Sequence, residues 1–385
     1  MHRSTDRILT THVGSLPRSK AVTDLVFGRE GGAVIADADF DPVISAAVHD
    51  IVTAQVAAGV DIVSDGEMSK ISYATYIKDR VTGFSGDSPR IPPQDLEAYP
   101  GFLQRQAATG GTPSYLRPMN TGPMTRKDDR DLHTDLATLA AATTGKPVAG
   151  AFMNAPSPGI IALFQPSAFY ATTDEYLEAL AEVMRPEYEA IAAAGFILQI
   201  DSPDLGLGRH TMYKERSEAD YLGLAARHLE VLNHALRNIP AGQIRMHVCW
   251  GNYEGPHDCD IEMEPLLPLL MRAKPQGLLF ETSNPRHAHD WQYFVAAKHL
   301  IPDDKILIPG VLDSTSNFVE HPKLVAERIL RFADIVGRER VIGGTDCGFS
   351  TFAGFGAVYP DIVWAKLKAL SDGAAIASER LWRGH

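Results

Sequence analysis

The chain has 385 residues, 45% of them hydrophobic, with a formal charge of −12, a pI near 5.6 and three cysteines. The length suits two average domains or one large one, and the acidic balance argues against a nucleic-acid backbone or an anionic membrane as partner. An odd, sparse cysteine count is no disulfide framework and points to a reducing compartment. The opening MHRSTDRILTTHVGSLPR lacks the apolar segment of a signal peptide, and no uncharged stretch of about 18 apolar residues occurs, so a cytoplasmic protein without a membrane span is expected.

In chain order, short apolar runs alternate with helical patterns. ILTTHVGS reads as a first strand. From Ile44, the residues Ala47, Val48, Ile51, Val52 and Val56 recur at helical spacing. Gly59 offers a left-handed cap, and VDIVS follows as a short buried strand leading to Asp65 and Glu67. Residues 82–113 are rich in Gly and Pro without periodicity, which predicts a long insertion able to fold over one end of the molecule. A weak strand signal lies at 116–120, and a firmer one, VAGAFMNAPS, starts at Val148. In YLEALAEVMRPEYEAIAAAGFILQIDSP a helix restarts after Pro186, ends at Gly195 and runs into the strand FILQI, which delivers Asp201. IRMHVCWGN, GLLFETS, ILIPGVLDS and VIGGTDCGF follow, and Val363, Leu367, Leu370, Ala374, Ala377 and Leu381 make a closing helical stripe. This alternation predicts one (β/α)8 TIM barrel domain over 1–385, with its site at the C-terminal ends of the strands. A doubly wound open sheet is the alternative. Nine strand candidates compete for eight places, so one of them lies outside the barrel.

On a strand, residues i and i+2 face the same side, so His247 and Cys249 both point inward while Val248 faces the helices. An imidazole beside a thiol is half of a zinc site, since that ion takes nitrogen and sulfur ligands tetrahedrally. Glu281 in LLFETS and Cys347 in GGTDCGF stand at other strand ends and complete a set of one His, two Cys and one Glu. Two plainer readings compete: a buried Cys as a small hydrophobe, and a local closed site made with His257 and Cys259. His12 is a further pocket candidate at the first strand end. Trp250 and Tyr253 either floor the site or pack, and His287 and His289 are expected at the surface or rim.

Pieces running almost end to end resemble the catalytic zinc barrel of the cobalamin-independent methionine synthase family. They are TTHVGSLPR at 10–18, SDGE at 64–67, QIDSPDL at 199–205, MHVCWGN at 246–252, LLFETS at 278–283, PGVLDS at 309–314 and GGTDCGF at 343–349. The resemblance implies that His247, Cys249, Glu281 and Cys347 bind a catalytic Zn2+. It also implies that Gly14, Ser15, Glu67 and Asp201 hold the amino-acid part of a homocysteine-like thiol. The implied chemistry is alkyl, in particular methyl, transfer to a thiol that zinc ionises. Glu281, the hardest ligand of a sulfur-rich set, is the one a substrate thiol can displace. The partners of this reading are a small-molecule thiol and an alkyl donor, with no nucleic acid and no membrane. The sequence leaves homo-oligomer formation open.

The chain departs from the family in three places. IDSP stands for I-D-E-P, with Ser202 in place of a carboxylate; LDSTS stands for Y-D-I-H-S, with Thr315 at the position of a His; and NAPSPGIIALFQ offers no counterpart to the Trp that helps hold folate. The family's complete enzymes also carry a second, N-terminal barrel. These departures point away from polyglutamyl folate as the donor. A shorter branch includes the epoxyalkane:coenzyme M transferases, in which the thiolate opens an epoxide; for a coenzyme M-like sulfonate, Arg18, Arg286 and His12 are the candidate partners. Another single-barrel branch takes methyl from a methylated corrinoid. A zinc-stapled binding barrel without catalysis is the non-enzymatic alternative.

Overall fold

The computed structural model describes residues 1–108 and 116–383. Among these residues the strands are β1 (Leu9–Thr10), β2 (Ile62–Val63), β3 (Phe84–Ser85), β4 (Met119–Asn120), β5 (Gly150–Pro156), β6 (Ile197–Asp201), β7 (Ile244–Val248), β8 (Gly277–Phe280), β9 (Ile306–Pro309) and β10 (Ile342–Gly343). β2, β5, β6, β7, β8 and β9 form a parallel sheet in that order, and β1 pairs in parallel with β10. Single parallel bridges join Thr11 to Ile62 and Leu307 to Val341. The two sheets therefore meet at both edges, and eight parallel strands curl into a barrel with helices between them. The ninth candidate falls outside it: β4 pairs antiparallel with β3.

The helices follow the apolar spacing. Asp37–Ala57 buries Ile44, Val48, Ile51 and Val52, and Gly59 behind it takes φ +85°, which a side chain would resist. Thr173–Ala193 runs unbroken through Pro186, where the sequence predicted a restart. Leu177, Leu180 and Met184 before the proline and Tyr188 and Ile191 after it are all buried. That packing on both sides holds the helix across one lost backbone bond. The closing stripe forms Pro360–Ser378, with Leu381 in a final turn, and it packs on Pro322–Val336. No helix among the described residues is long and apolar enough to cross a membrane.

Alternation along the strands divides two cores. Ile244, Met246 and Val248 of β7 join the large layer between strands and helices. Leu9, Ile62, Phe152, Ile197, Leu279, Ile306 and Ile342 fill the lumen. β7 breaks that pattern by turning Arg245 inward; it is wholly buried, with its guanidinium 3.6 Å over the Phe152 ring.

The insertion at 82–113 is described as far as residue 108; residues 109–113 lie outside the described residues. It carries β3 and the short helices Gln94–Ala98 and Pro100–Ala108. Its foot is fixed by a buried ion cluster. Arg80 lies 2.7 Å from Glu187 and also pairs with Asp135, and Tyr76 donates to Glu187 at 2.6 Å. Burial alone pushes Glu187 up, but Arg80 and then Tyr76 outweigh it and hold the carboxyl below its ordinary value. Arg80→Met leaves two buried carboxylates short of their cation and is expected to cost about 3 kcal/mol at neutral pH in urea denaturation. The deficit should narrow below the ordinary Glu value of 4.5, where protonation relieves the orphaned charge. A variant as stable as the parent at neutral pH would contradict this account.

Candidate metal centre

His247 is on β7, Cys249 just beyond it, and Cys347 in the turn after β10. The three are buried, and one ligand atom from each falls within 4.8 Å of the others. The imidazole is held from two sides: one ring nitrogen lies 3.2 Å from Asp346 O, the other 3.5 Å from Asp201 Oδ1. Burial disfavours its charged form, but Asp201 and then Cys347 outweigh this and raise it to about 9. The two free thiols are hydrogen-bonded to each other: that bond, with burial, pushes Cys249 up, and against burial it holds Cys347 down.

Glu281 follows β8 and is also buried, but its carboxylate is not within the compact trio. One oxygen accepts from Trp250 N–H at 2.9 Å, the other from Asn284 Nδ2 at 2.6 Å. It remains near enough to bear on the charge of both thiols. Asp346 ties the Cys347 turn to this strand end, because its carboxylate accepts the backbone N–H groups of Thr282, Ser283 and Asn284. Gly310 is required there, since a Cβ would lie 2.2 Å from Asp346 Oδ1. His257 and Cys259 do not join the trio. The His257 ring is used by Asp260 and Tyr253 O, and Cys259 lies beside Asp258.

Above the trio opens a cavity of about 980 Å3 whose wall includes Ser15, Glu67, Asp201, His247, Cys249 and Cys347. The insertion roofs it with Ile91, Pro93, Leu96 and Leu103. Buried Asp95 latches this roof by accepting from Tyr253 Oη at 2.8 Å and His257 N–H at 2.9 Å.

The residues implied for the amino-acid part lie around the same wall. Gly14 has φ +147°, and a Cβ there would meet Asn154 at 2.5 Å. Ser15 supports the Cys347 turn: its carbonyl accepts from Phe349 N–H and its hydroxyl from Ser350 N–H. Glu67 sits at φ +60°, unusual for a side-chain-bearing residue, and buried Oε2 has no hydrogen-bond partner. Burial, against Arg18, raises its carboxyl to about 8. Asp201 accepts from Asn154 Nδ2 at 2.9 Å and Gln199 Nε2 at 2.8 Å.

Of the other candidates, Arg18 is spent on the carbonyls of Glu67, Lys70 and Ser350, and Arg286 pairs with Glu262 at 2.9 Å. His287 is buried, against the expectation of a rim position. Its ring stacks on Trp250, 4.3 Å between centroids, and bridges Asp260 and Asp290. Trp250 is fully buried and packs, whereas Tyr253 lines the cavity. Sequence reading passed over Gln199 and Arg245, although each stands two residues before a candidate and so faces the same way. Arg245 donates to Gln199 Oε1 at 2.8 Å, which turns the amide NH2 of Gln199 to Asp201.

His12 is fully buried, and its ring is enclosed by its own neighbours. Gly14 N–H donates to Nδ1, so the ring proton is on Nε2 and donates to Gln55 Oε1 at 2.7 Å. Burial, against the Gln55 bond and with Arg245, lowers it to about 3 from 6.5. Between those values the unfolded chain takes a proton that the folded chain refuses, so stability falls as pH falls through the window. Between pH 7 and pH 5 the share of His12 is about 2 kcal/mol. His12→Asn should show a correspondingly shallower decline of urea stability over that interval; parallel declines would contradict it.

Residues 96–358 match the family described as cobalamin-independent synthase, catalytic domain. The methionine synthase of Saccharolobus solfataricus is 24% identical over 379 residues, covering 97% of this chain and 96% of that protein. That of Sulfurisphaera tokodaii is 23% identical over 373 residues, covering 97% and 93%. The solved B12-independent methionine synthase from Shewanella sp. W3-18-1, in complex with selenomethionine, shares the fold with a TM-score of 0.74 at 19% identity, covering 97% of this chain and 99% of that one. With a match across more than half its length, the chain belongs to the cobalamin-independent methionine synthase family.

Proposed function

We propose that this protein, acting as one barrel domain, transfers an alkyl group, in particular methyl, to the sulfur of a homocysteine-like aminothiol in a zinc-dependent reaction. The observation that carries this reading is one imidazole and two thiols converging at the base of a cavity that also holds two carboxylates. The donor set fits zinc: nitrogen and sulfur atoms within a few ångströms, with a carboxylate at the adjoining strand end. His247, Cys249 and Cys347 would hold the ion, with Glu281 at the adjoining strand end as an exchangeable fourth donor. Zinc, when bound, lowers the pKa of a substrate thiol so that its sulfur is nucleophilic at neutral pH.

The chain's own residues supply the rest. Trp250 N–H and Asn284 satisfy the two oxygens of Glu281, so its carboxylate would keep its partners with or without a bond to the ion. Asp201, fixed by two amides, orients the His247 ring. Glu67, whose Oε2 has no hydrogen-bond donor and lies 4.0 Å from Arg18, and Asp201 suit an ammonium group, whose charge would favour the ionised form of Glu67. A coenzyme M-like sulfonate finds less: Arg18 is engaged by carbonyls and Arg286 by Glu262. The selenomethionine complex of the Shewanella protein supports a ligand of this amino-acid type. The roof from the insertion sets apolar side chains over the cavity, which would limit water at the reacting sulfur. A donor other than polyglutamyl folate is supported by Thr315, whose hydroxyl is turned onto Asp313 at 2.8 Å.

Zinc X-ray absorption on the purified protein tests this directly. The expected spectrum has two sulfur ligands, rising to three with homocysteine and unchanged with coenzyme M. Cys347→Ser should fold and lose most of its zinc. A folded Cys347→Ser protein that keeps full zinc content would overturn the assignment, as would a zinc spectrum indifferent to homocysteine.

A further inference from the structure

Cys249 and Cys347 follow β7 and β10, and β8 and β9 lie between these strands in the ring. No ladder of backbone bonds joins β7 directly to β10, so sheet register does not set the distance between the two sulfurs. Side chains crossing the mouth must do so. The Cys347 turn is anchored toward β8 by Asp346 and toward β1 by Ser15, and a Cβ at Gly348 would lie 2.0 Å from Ser15 Oγ. Toward β7 itself the turn meets the His247 ring, 3.2 Å from Asp346 O, but neither anchor reaches the loop that follows Cys249.

Asn252, three residues beyond Cys249, makes that link. Its Nδ2 donates to Gly348 O at 2.6 Å and to Thr351 Oγ1 at 2.5 Å, and its Oδ1 accepts from Ser314 Oγ at 2.9 Å. One amide thereby connects the loops after β7, β9 and β10. Both of its hydrogens and its oxygen are engaged, so although Asn252 forms part of the cavity wall its polar atoms are already committed. Aspartate at this position would keep the bond from Ser314 but set an oxygen against Gly348 O, next to Cys347.

We propose that Asn252 is a positioning residue that sets the spacing of the Cys249 and Cys347 thiols and hence the affinity of the centre for its metal. This rests on the zinc reading above. Second-sphere partners of metal ligands are worth about 10- to 100-fold in affinity, and losses of that size are expected here. The measurement is zinc affinity by chelator competition, paired with the thiolate-to-cobalt absorption of Co2+-loaded protein. Asn252→Asp and Asn252→Ala should both fold, bind zinc about 10- to 100-fold more weakly and show a weakened or shifted cobalt–thiolate band. Thr351→Val, which removes one of the two acceptors, should show a smaller loss. Unchanged affinity and an unchanged band in Asn252→Ala would overturn the proposal while leaving the zinc reading intact. A parent protein with no cobalt–thiolate band would overturn the zinc reading and the proposal together. If Asn252→Asp fails to fold, Asn252→Ala decides.

Discussion

In a closed ring of parallel strands every second residue faces a lumen without water, and each polar group placed there must find its partner inside. Seven strands meet this constraint with an aliphatic or aromatic residue in the lower lumen. β7 meets it with Arg245, whose three nitrogens donate one bond each to Gln199 Oε1, Thr11 Oγ1 and His12 O above the face of Phe152. From there the polar chain climbs toward the mouth through Gln199, Asp201 and Asn154 to the ring of His247. The chemistry at the top thus stands on a buried cation at the bottom. Burial pulls that arginine down to about 9, which still leaves it charged at neutral pH.

The same alternation explains what could be read in advance. His247 and Cys249 are two residues apart on a strand, and their common direction follows from the pleat alone. Glu281 and Cys347 could be found because short apolar runs ending in polar residues mark strand ends. Arg245 and Gln199 obey the same rule but carry no label, since an inward arginine acquires meaning only once its acceptors are known. Asp95 was beyond reach: the insertion has no periodicity, and its partners Tyr253 and His257 lie far along the chain. Pro186 misled because a local rule was outweighed by packing on either side of it. His287 misled because loop histidines are usually solvated, whereas this one is enclosed by Trp250, Asp260 and Asp290.

The cavity wall around Glu67 shows how backbone strain and charge are combined. Gly66 and Glu67 both adopt positive φ. For Glu67 this conformation is sustained by Asp65 Oδ1 on its N–H and by Arg18 on its carbonyl. The carboxylate is thereby held in a buried position that gives one oxygen no donor. It lies in the same wall as Asp201 and the two thiols.

The division of the thiols between β7 and β10 has a consequence for how the molecule comes into being. A growing chain that has made only β7 has one cysteine of the pair, and a sheet that has reached β9 still lacks the other. Long-range closure of this kind comes late, because the loop entropy is lost before the contact forms. On the zinc reading, ion capture by both sulfurs could not nucleate the barrel and would report that the last strand has arrived. Until β10 is in place a chain presents single thiols, and on that reading a loaded centre would mark a closed barrel.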